Sequence, residues 1–551
     1  MNRIDWQEKR RKKIHVSIFL LIFLLALTFR LFKLGDIPIG VTNDEASYIY
    51  SGYSIWRTGR DISGVFLPLS FNLDNSLSPV PVYLLSPLVG LFGLSPFTGR
   101  LLFSLAGIGS VLLIYFITKQ LFRNPSIALA TMFVLAVSPW HLHFSRAAYE
   151  GGLSLFFILF GTYLFMRGIK KKVEILWSLP MFILGFYSYH ATKIFLLFYI
   201  PFLLFFYRGK LLNNKKIFLL YVTGIILTLF SFLIVMKTQK VTRQDILIWN
   251  YMGEAKRTVD LERKINSAPF IIRQIFNNKP LYFLRKLREN YLEAFSPHFL
   301  FLYGETSGLG GIYGPFYRGE LYILELPLLA IGLYYLFTKG SKSNRLFIIV
   351  VILMAPIQSA ITFDKSYAIR SIIMLPFLSI VIGCGIYYSF SYLFLRYRKI
   401  FITIFSLFYI FIVAGYLYQY YFRYAIYGAE SWFKSSRDVV WLMGQEKKNF
   451  NHIYVAEPGS LLVQYALWNK VDPQVIQKSY ASQSPKKVEN VVFLGGCIDT
   501  HDELFDPNLY LPEKTMYIVP AGCYRHKMEP FARITQFDEP LRTIWEVYVR
   551  R

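Results

Sequence analysis

Cysteine is nearly absent, with three in 551 residues, so the chain is not a disulfide scaffold. Charge is scarce too. Only 17% of residues are Asp, Glu, Lys or Arg, against roughly 25% in an average soluble domain. That excludes a soluble enzyme with one core, and an aromatic content of 18% excludes a disordered chain. Acidic residues are the scarcer charge, 34 against 60 basic ones, and neither an internal repeat nor a low-complexity segment is evident. What is abundant is apolar: 54% of the residues are hydrophobic, which leaves a polytopic membrane protein. The net charge of +26 then has two readings, a nucleic-acid surface or a membrane-orientation signal.

The positions of the charges separate them. Apolar runs of spanning length lie near 15–33, 99–118, 125–144, 150–166, 173–190, 193–207, 216–236, 320–337, 345–362, 367–391 and 400–420, about eleven by that criterion. The stretch 79–94 is short and holds Pro79, Pro81 and Pro87, which predicts a surface or re-entrant segment. The first run has no small-x-small cleavage site after it and reads as a signal anchor. Basic residues at Lys9–Lys13 put the N-terminus in the cytoplasm. Counting spans forward, the compact clusters Lys119/Arg123, Arg167/Lys170–Lys172, Arg208/Lys210/Lys215/Lys216, Lys339/Lys342/Arg345 and Arg396/Arg398/Lys399 all fall on the same side. Charge spread over short turns predicts no nucleic-acid partner.

This order predicts an all-α membrane bundle with a small extracytoplasmic α/β domain. The membrane domain is 1–420, with outer loops 34–98 and 237–319, and the outer domain is 421–551. In the tail, β-like runs at Ile453–Val455, Val491–Leu494, Tyr517–Val519 and Thr543–Val549 are joined by a helix-like Leu461–Trp468. Cys497 and Cys523 share this oxidising side, either bridged or as two buried thiols; Cys384 lies in a span. The basic amphipathic stretch Phe283–Tyr291 reads as an interfacial helix, with contact to an anionic lipid as the sharper alternative. Gly308–Gly314 has neither the spacing nor the preceding strand of a nucleotide loop and reads as a lid.

The most informative segment is Asn43-Asp44-Glu45-Ala46-Ser47-Tyr48, about ten residues beyond the first span. Ile49, Tyr53 and Trp56 follow at i, i+4 and i+7, so the loop folds back as an amphipathic helix along the interface. Its first turn carries two carboxylates. Asn43 as N-cap with acids favoured by the helix dipole is a sufficient structural reason for them. Against it stand cations on the same side: Arg146 ending the third span, His190 and Lys193 between the fifth and sixth, and Arg370 at the start of the tenth. Each taken singly is a snorkelling or ion-paired side chain; together with the two acids they form a candidate site. Transfer of a sugar from a lipid phosphate needs this set. The phosphate leaves without a general acid but needs fixed cations. The attacking hydroxyl needs one carboxylate as base, whereas a glycosidase needs two flanking the bond.

The chain resembles the dolichyl-phosphate-mannose protein mannosyltransferase superfamily of membrane glycosyltransferases, with the aminoarabinose lipid A transferases and family 39 relatives. The resemblance runs through most of 14–435. It rests on Asn43–Ala46, Tyr53–Gly59 and Phe66–Ser70, then Ser138–Arg146, Tyr187–Lys193, Asn278–Pro280, Asn290–Leu292 with Phe295–Pro297, and Gly319–Pro327. It implies the GT-C fold, a polyprenyl-phosphate-linked sugar donor, a hydroxyl acceptor on a protein, lipid or glycan, and inversion at the anomeric carbon outside the membrane. Asp44 is then the base, Glu45 positions the acceptor or a neighbour, and Arg146, His190, Lys193 and Arg370 meet the donor phosphate. Tyr367 stands where relatives often carry His, and Gly308–Arg318 departs from the usual form. Both lie on the substrate side and leave the acceptor open. No metal or cofactor is required, although the acidic pair has the chemistry to hold a divalent cation. Two other classes stay in view. A transporter of lipid-linked sugars would place its charges near the midplane of paired halves. A binding role for the tail alone would need no catalytic group.

Overall fold

The computed structural model describes residues 3–72, 76–169, 174–211, 215–238, 246–306, 310–363, 367–393, 396–457, 460–482, 485–498, 504–523, 525–526 and 529–551. Within a bilayer a backbone has no water to bond, and a helix satisfies each polar group inside its own segment. The chain is accordingly mostly helical, and it is a multi-pass membrane protein. Among the described residues seven helices are long and apolar enough to cross a membrane: Gln7–Leu31, Pro96–Phe122, Glu150–Gly168, Lys215–Ile234, Lys342–Ala360, Met374–Leu393 and Arg398–Tyr427. Five shorter apolar helices are Pro79–Phe92, Pro125–Val137, Glu174–Ser188, Thr192–Phe206 and Glu325–Thr338.

Each predicted run contains a helix, but local chemistry moves the ends. The run 125–144 breaks into Pro125–Val137 and Pro139–Phe144. Pro139 has no N–H to extend the first helix, and the Ser138 hydroxyl caps the second by accepting from the His141 N–H. The run beginning at 320 becomes helical only at Glu325, so residues 320–324 remain in the preceding loop.

The chain forms two compact units. One comprises Met1–Arg30, Leu105–Ser145 and Tyr149–Tyr416; the other comprises Leu31–Ser104, Arg146–Ala148 and Leu417–Arg551. In the first, Glu325–Thr338 and Met374–Tyr388 approach at glycines. A Cβ on Gly332 would lie 1.9 Å from the Val381 carbonyl oxygen, and one on Gly385 would lie 2.0 Å from that of Leu328. Small residues are what let apolar helices pack this closely.

The second unit contains a six-stranded mixed sheet, ordered Lys486–Val488, Val491–Leu494, His452–Ala456, Thr515–Pro520, Thr543–Arg550, Ala532–Thr535. His452–Ala456 pairs in parallel with both neighbours, and the outer pairings are antiparallel. Parallel strands need cover on both faces. Ile453, Val455, Met516 and Ile518 lie in one buried core with Val41, Ala46, Ile49 and Tyr50 of the first outer loop. Leu462, Ala466 and Ile476 of the tail helices complete it. The apolar face that periodicity assigned to headgroups is thus partly covered by the tail: Ile49 is fully buried, whereas Trp56 is 46% exposed. Periodicity identifies a face to bury and is silent about its cover. Of the two states left open for the cysteines, the bridged one is formed, joining Cys497 to Cys523 with their Cα atoms 6.3 Å apart. Cys384 is a buried free thiol.

Candidate active site

The helix Asn43–Thr58 begins one residue earlier than an Asn43 cap would place it. Thr42 is extended (φ −66°, ψ 161°) and its hydroxyl accepts the Glu45 N–H, so Thr42 is the cap and Asn43 the first helical residue. The Asn43 side chain is thereby released to another partner. Its Oδ1 accepts from Gln464 Nε2 at 3.1 Å, and the same Nε2 also donates to the Val41 carbonyl at 2.8 Å. Tyr50 adds a bond to the Val471 carbonyl at 2.8 Å. Gln477 donates to Ser54, Thr58 and the Asp61 carbonyl. The tail helices therefore grip the acidic helix along its length.

The two carboxylates part company. Glu45 is buried and meets Arg100 in a fork, Nε to Oε1 at 2.8 Å and Nη2 to Oε2 at 3.0 Å. Arg100 is fully buried and spends its remaining donors on the carbonyls of Leu34, Pro38 and Gly40. Gly40 must be glycine, because a Cβ there would lie 1.8 Å from the Trp432 carbonyl oxygen. Glu45 Oε1 also accepts the Ala148 N–H at 3.1 Å. Asp44, next in the same turn, remains half-buried. Position on the helix separates them: neighbouring residues point about 100° apart, so the two side chains meet different surroundings.

Arg146 belongs to the same unit and is fully buried. Its Nη2 donates to the carbonyls of Phe32, Lys33 and Ile37 at 2.8, 3.4 and 3.2 Å, and its guanidinium lies 4.9 Å from the Tyr421 ring. It clasps the turn that follows the first span.

His190, Lys193 and Arg370 belong to the other unit. Lys193 is buried, 3.0 Å from His190 Nδ1 and 4.8 Å above the Phe232 ring. Arg370 ends the short helix Tyr367–Arg370 and donates to the Thr362 hydroxyl at 2.6 Å. Asn290 braces that loop: its amide donates to the carbonyls of Ala360 and Thr362, and its oxygen accepts from Tyr367. Tyr367, where relatives often have His, thus has a defined structural partner. The helix Lys279–Glu293 of the outer loop 237–319 carries Arg285, whose basic charge is met by both oxygens of Glu262 at 2.9 and 2.8 Å.

Sequence reasoning assigned no role to Arg100 or Gln464. An arginine at the head of the apolar run 99–118 was the available signal for Arg100, since a charge there needs a partner; nothing local marks Gln464. A second group also went unassigned. His143, Glu305, Arg318 and Glu320 line one small cavity. His143 Nε2 lies 2.6 Å from the Ile312 carbonyl, and Glu305 accepts the Ala368 N–H at 3.0 Å. Glu320, in the loop ahead of the Glu325 helix, has its carboxyl raised well above the ordinary range by burial and then by the nearby Glu305 carboxylate. Of the predicted lid, Gly308 lies outside the described residues, and Gly310–Tyr313 is a single helical turn. Among the described residues no group of three His, Cys, Asp or Glu side chains is placed to hold a metal ion.

Residues 76–235 match the family model described as dolichyl-phosphate-mannose-protein mannosyltransferase. The chain is similar to the YkcB protein of Bacillus subtilis (strain 168), whose name assigns it provisionally to the mannosyltransferases. The two are 28% identical over 202 residues, 34% of this chain and 27% of that one. An uncharacterized protein of Aquifex aeolicus (strain VF5) is 34% identical over 149 residues, 26% of this chain and 34% of that one. The matches thus span about a quarter to a third of these relatives' own lengths. ArnT from Cupriavidus metallidurans in the apo state shares the fold, with a TM-score of 0.51 at 11% identity over 98% of each chain.

Proposed function

We propose that this chain, a GT-C superfamily member by its fold and its 76–235 segment, transfers a sugar from a polyprenyl-phosphate donor to a hydroxyl acceptor. The observation that carries the reading is the division of labour at the acidic pair: Arg100 holds Glu45, and Asp44 stays half-buried one position away. Asp44 takes the acceptor's proton as the hydroxyl oxygen attacks the anomeric carbon. The bond from that carbon to the phosphate oxygen breaks, and the lipid phosphate departs with the electron pair. One displacement inverts the carbon. A carboxylate placed for this proton transfer contributes about 10²–10⁴ in rate.

Arg370, Lys193 and His190 are the donor-phosphate groups in this reading, because fixed cations stabilise the charge that develops on the leaving group. Glu45 positions the turn that carries the base, and Arg146, which clasps the loop beside it, completes the donor-phosphate set. No metal or cofactor enters the reaction; unchanged turnover in a chelator is the expected check. The seven long helices and four of the five shorter ones, Pro79–Phe92 excepted, are the eleven spans. The N-terminus lies in the cytoplasm, and the domain 421–551 lies outside. A tag after Arg551 should be digested by external protease in intact cells.

The test is transfer by purified, reconstituted protein from labelled polyprenyl-phosphate sugars to a membrane extract, comparing wild type with Asp44→Asn. Loss of transfer in the variant is expected. Equal transfer by both overturns the base. Movement of the sugar lipid across vesicles with no transfer would make the chain a transporter instead.

A further inference from the structure

One cavity far along the chain from the acidic pair has no part in that chemistry. It is open, about 850 Å³ in volume, and built within the helical unit from the ends of several helices. Lys119 and Arg123 come from the end of Pro96–Phe122 and Arg167 from the end of Glu150–Gly168. Lys210 comes from the turn Arg208–Leu211, and Lys339 from the cap of Glu325–Thr338. None of the described lining residues is acidic. Arg167 is answered by Glu174 at 2.8 Å, but among the described residues Lys119, Arg123, Lys210 and Lys339 have no carboxylate partner.

Positive loops on one membrane face need only an orientation reason. That reason does not gather five cations into one concavity, where like charges repel. Two features hold the gathering in place. Arg123 adopts a left-handed backbone conformation (φ 52°), which few non-glycine residues take without cause. Asn344, also on the wall, ties its helix to the end of Pro96–Phe122 by donating to the Leu121 carbonyl at 2.6 Å. Between the cations the lining is mixed, with apolar Phe122, Met166 and Ile169 beside polar Gln120, Ser341, Ser343 and Asn344. A small inorganic anion has no use for such a surface, whereas a glycerol backbone and the first acyl carbons do. Basic pockets between helix ends are the sites where anionic lipid headgroups bind.

We propose that this cavity binds the phosphate headgroup of an anionic glycerophospholipid in the leaflet on the basic-loop side. The site is independent of the transfer reaction. The test uses full-length protein in neutral detergent, with thermal unfolding and native mass spectrometry read against added phosphatidylglycerol, phosphatidylcholine or inorganic phosphate. Phosphatidylglycerol should raise the midpoint in a saturable way and stay bound in the spectrometer. The Arg123→Gln/Lys339→Gln variant should need at least about tenfold more lipid for the same shift, since mass action ties the shift to affinity. Lys210→Gln should weaken it less and serves if the double variant folds poorly. The control Lys216→Gln/Lys342→Gln removes two charges of the same basic loops that do not line the cavity and should behave as wild type. An equal loss in the control would reduce the effect to general electrostatics and overturn the site. An equal shift from phosphate alone would make it a free-anion site, and no shift with phosphatidylglycerol would remove it.

Discussion

Two charged regions of this molecule are built in opposite ways. In the unit that joins the first outer loop to the tail, charge is matched by buried partners: Glu45 by Arg100, and Arg146 by three carbonyls. Around the basic cavity, cations from separate helix ends face one space with no acid among its described lining residues. Packing sets the first arrangement, because a buried charge without a partner would cost several kcal/mol. Membrane topology sets the second, because those side chains stay within reach of water and headgroups. The first should therefore govern folding, and the second should respond to what surrounds the protein.

The largest expected effect tests the contrast within a single helical turn. Asp44→Asn should lower transfer by about 10²–10⁴ with a smaller drop in the unfolding midpoint than Glu45→Gln, which strips a buried fork with Arg100. Matching stability losses in the two variants would erase the distinction between the carboxylates. Next is Arg100→Met, which strands a buried carboxylate and should cost about 3–5 kcal/mol of stability, measured by thermal unfolding in detergent. Adding Glu45→Met should restore much of that loss without restoring transfer.

Gln464→Ala breaks two hydrogen bonds beside Asp44 and a third from Trp468 Nε1, and should cost about 1–3 kcal/mol. If the tail positions the acidic turn, the rate constant for transfer should fall while the Michaelis constant for the donor holds. Glu320→Gln sharpens the contrast through pH. The raised folded-state pKa means the native protein binds the extra proton, so wild-type stability falls as pH rises above the ordinary carboxyl range toward the raised value. The amide variant lacks that loss, so its midpoint relative to wild type should rise between pH 5 and pH 8. Smallest is Arg123→Gln in lipid-free neutral detergent, where an exposed charge with no carboxylate partner among the described residues should change stability by under about 0.5 kcal/mol.

Much of this was legible in the chain itself. The runs that become helices are apolar over spanning length, and the tail strands showed as short β-branched segments between turn residues. The acidic pair drew notice because two carboxylates open an amphipathic helix just beyond a span. Less visible were the partners. Thr42 rather than Asn43 caps the helix, since both are good caps and the choice depends on Gln464 taking the Asn43 oxygen. Arg100 lies 55 residues from Glu45, and no periodicity links them.

Composition and hydropathy alone determined that this is a multi-pass membrane protein, and local spacing placed its helices, its tail strands and the acidic turn. Those are properties of neighbouring residues, written within a few turns of chain. The tertiary structure alone decided that Glu45 is buried against Arg100 while Asp44 is half-buried, what covers Ile49, and that scattered loop cations converge on one cavity. Each depends on segments far apart in the chain meeting in space, where burial makes an ion pair compulsory or a shared concavity makes like charges neighbours.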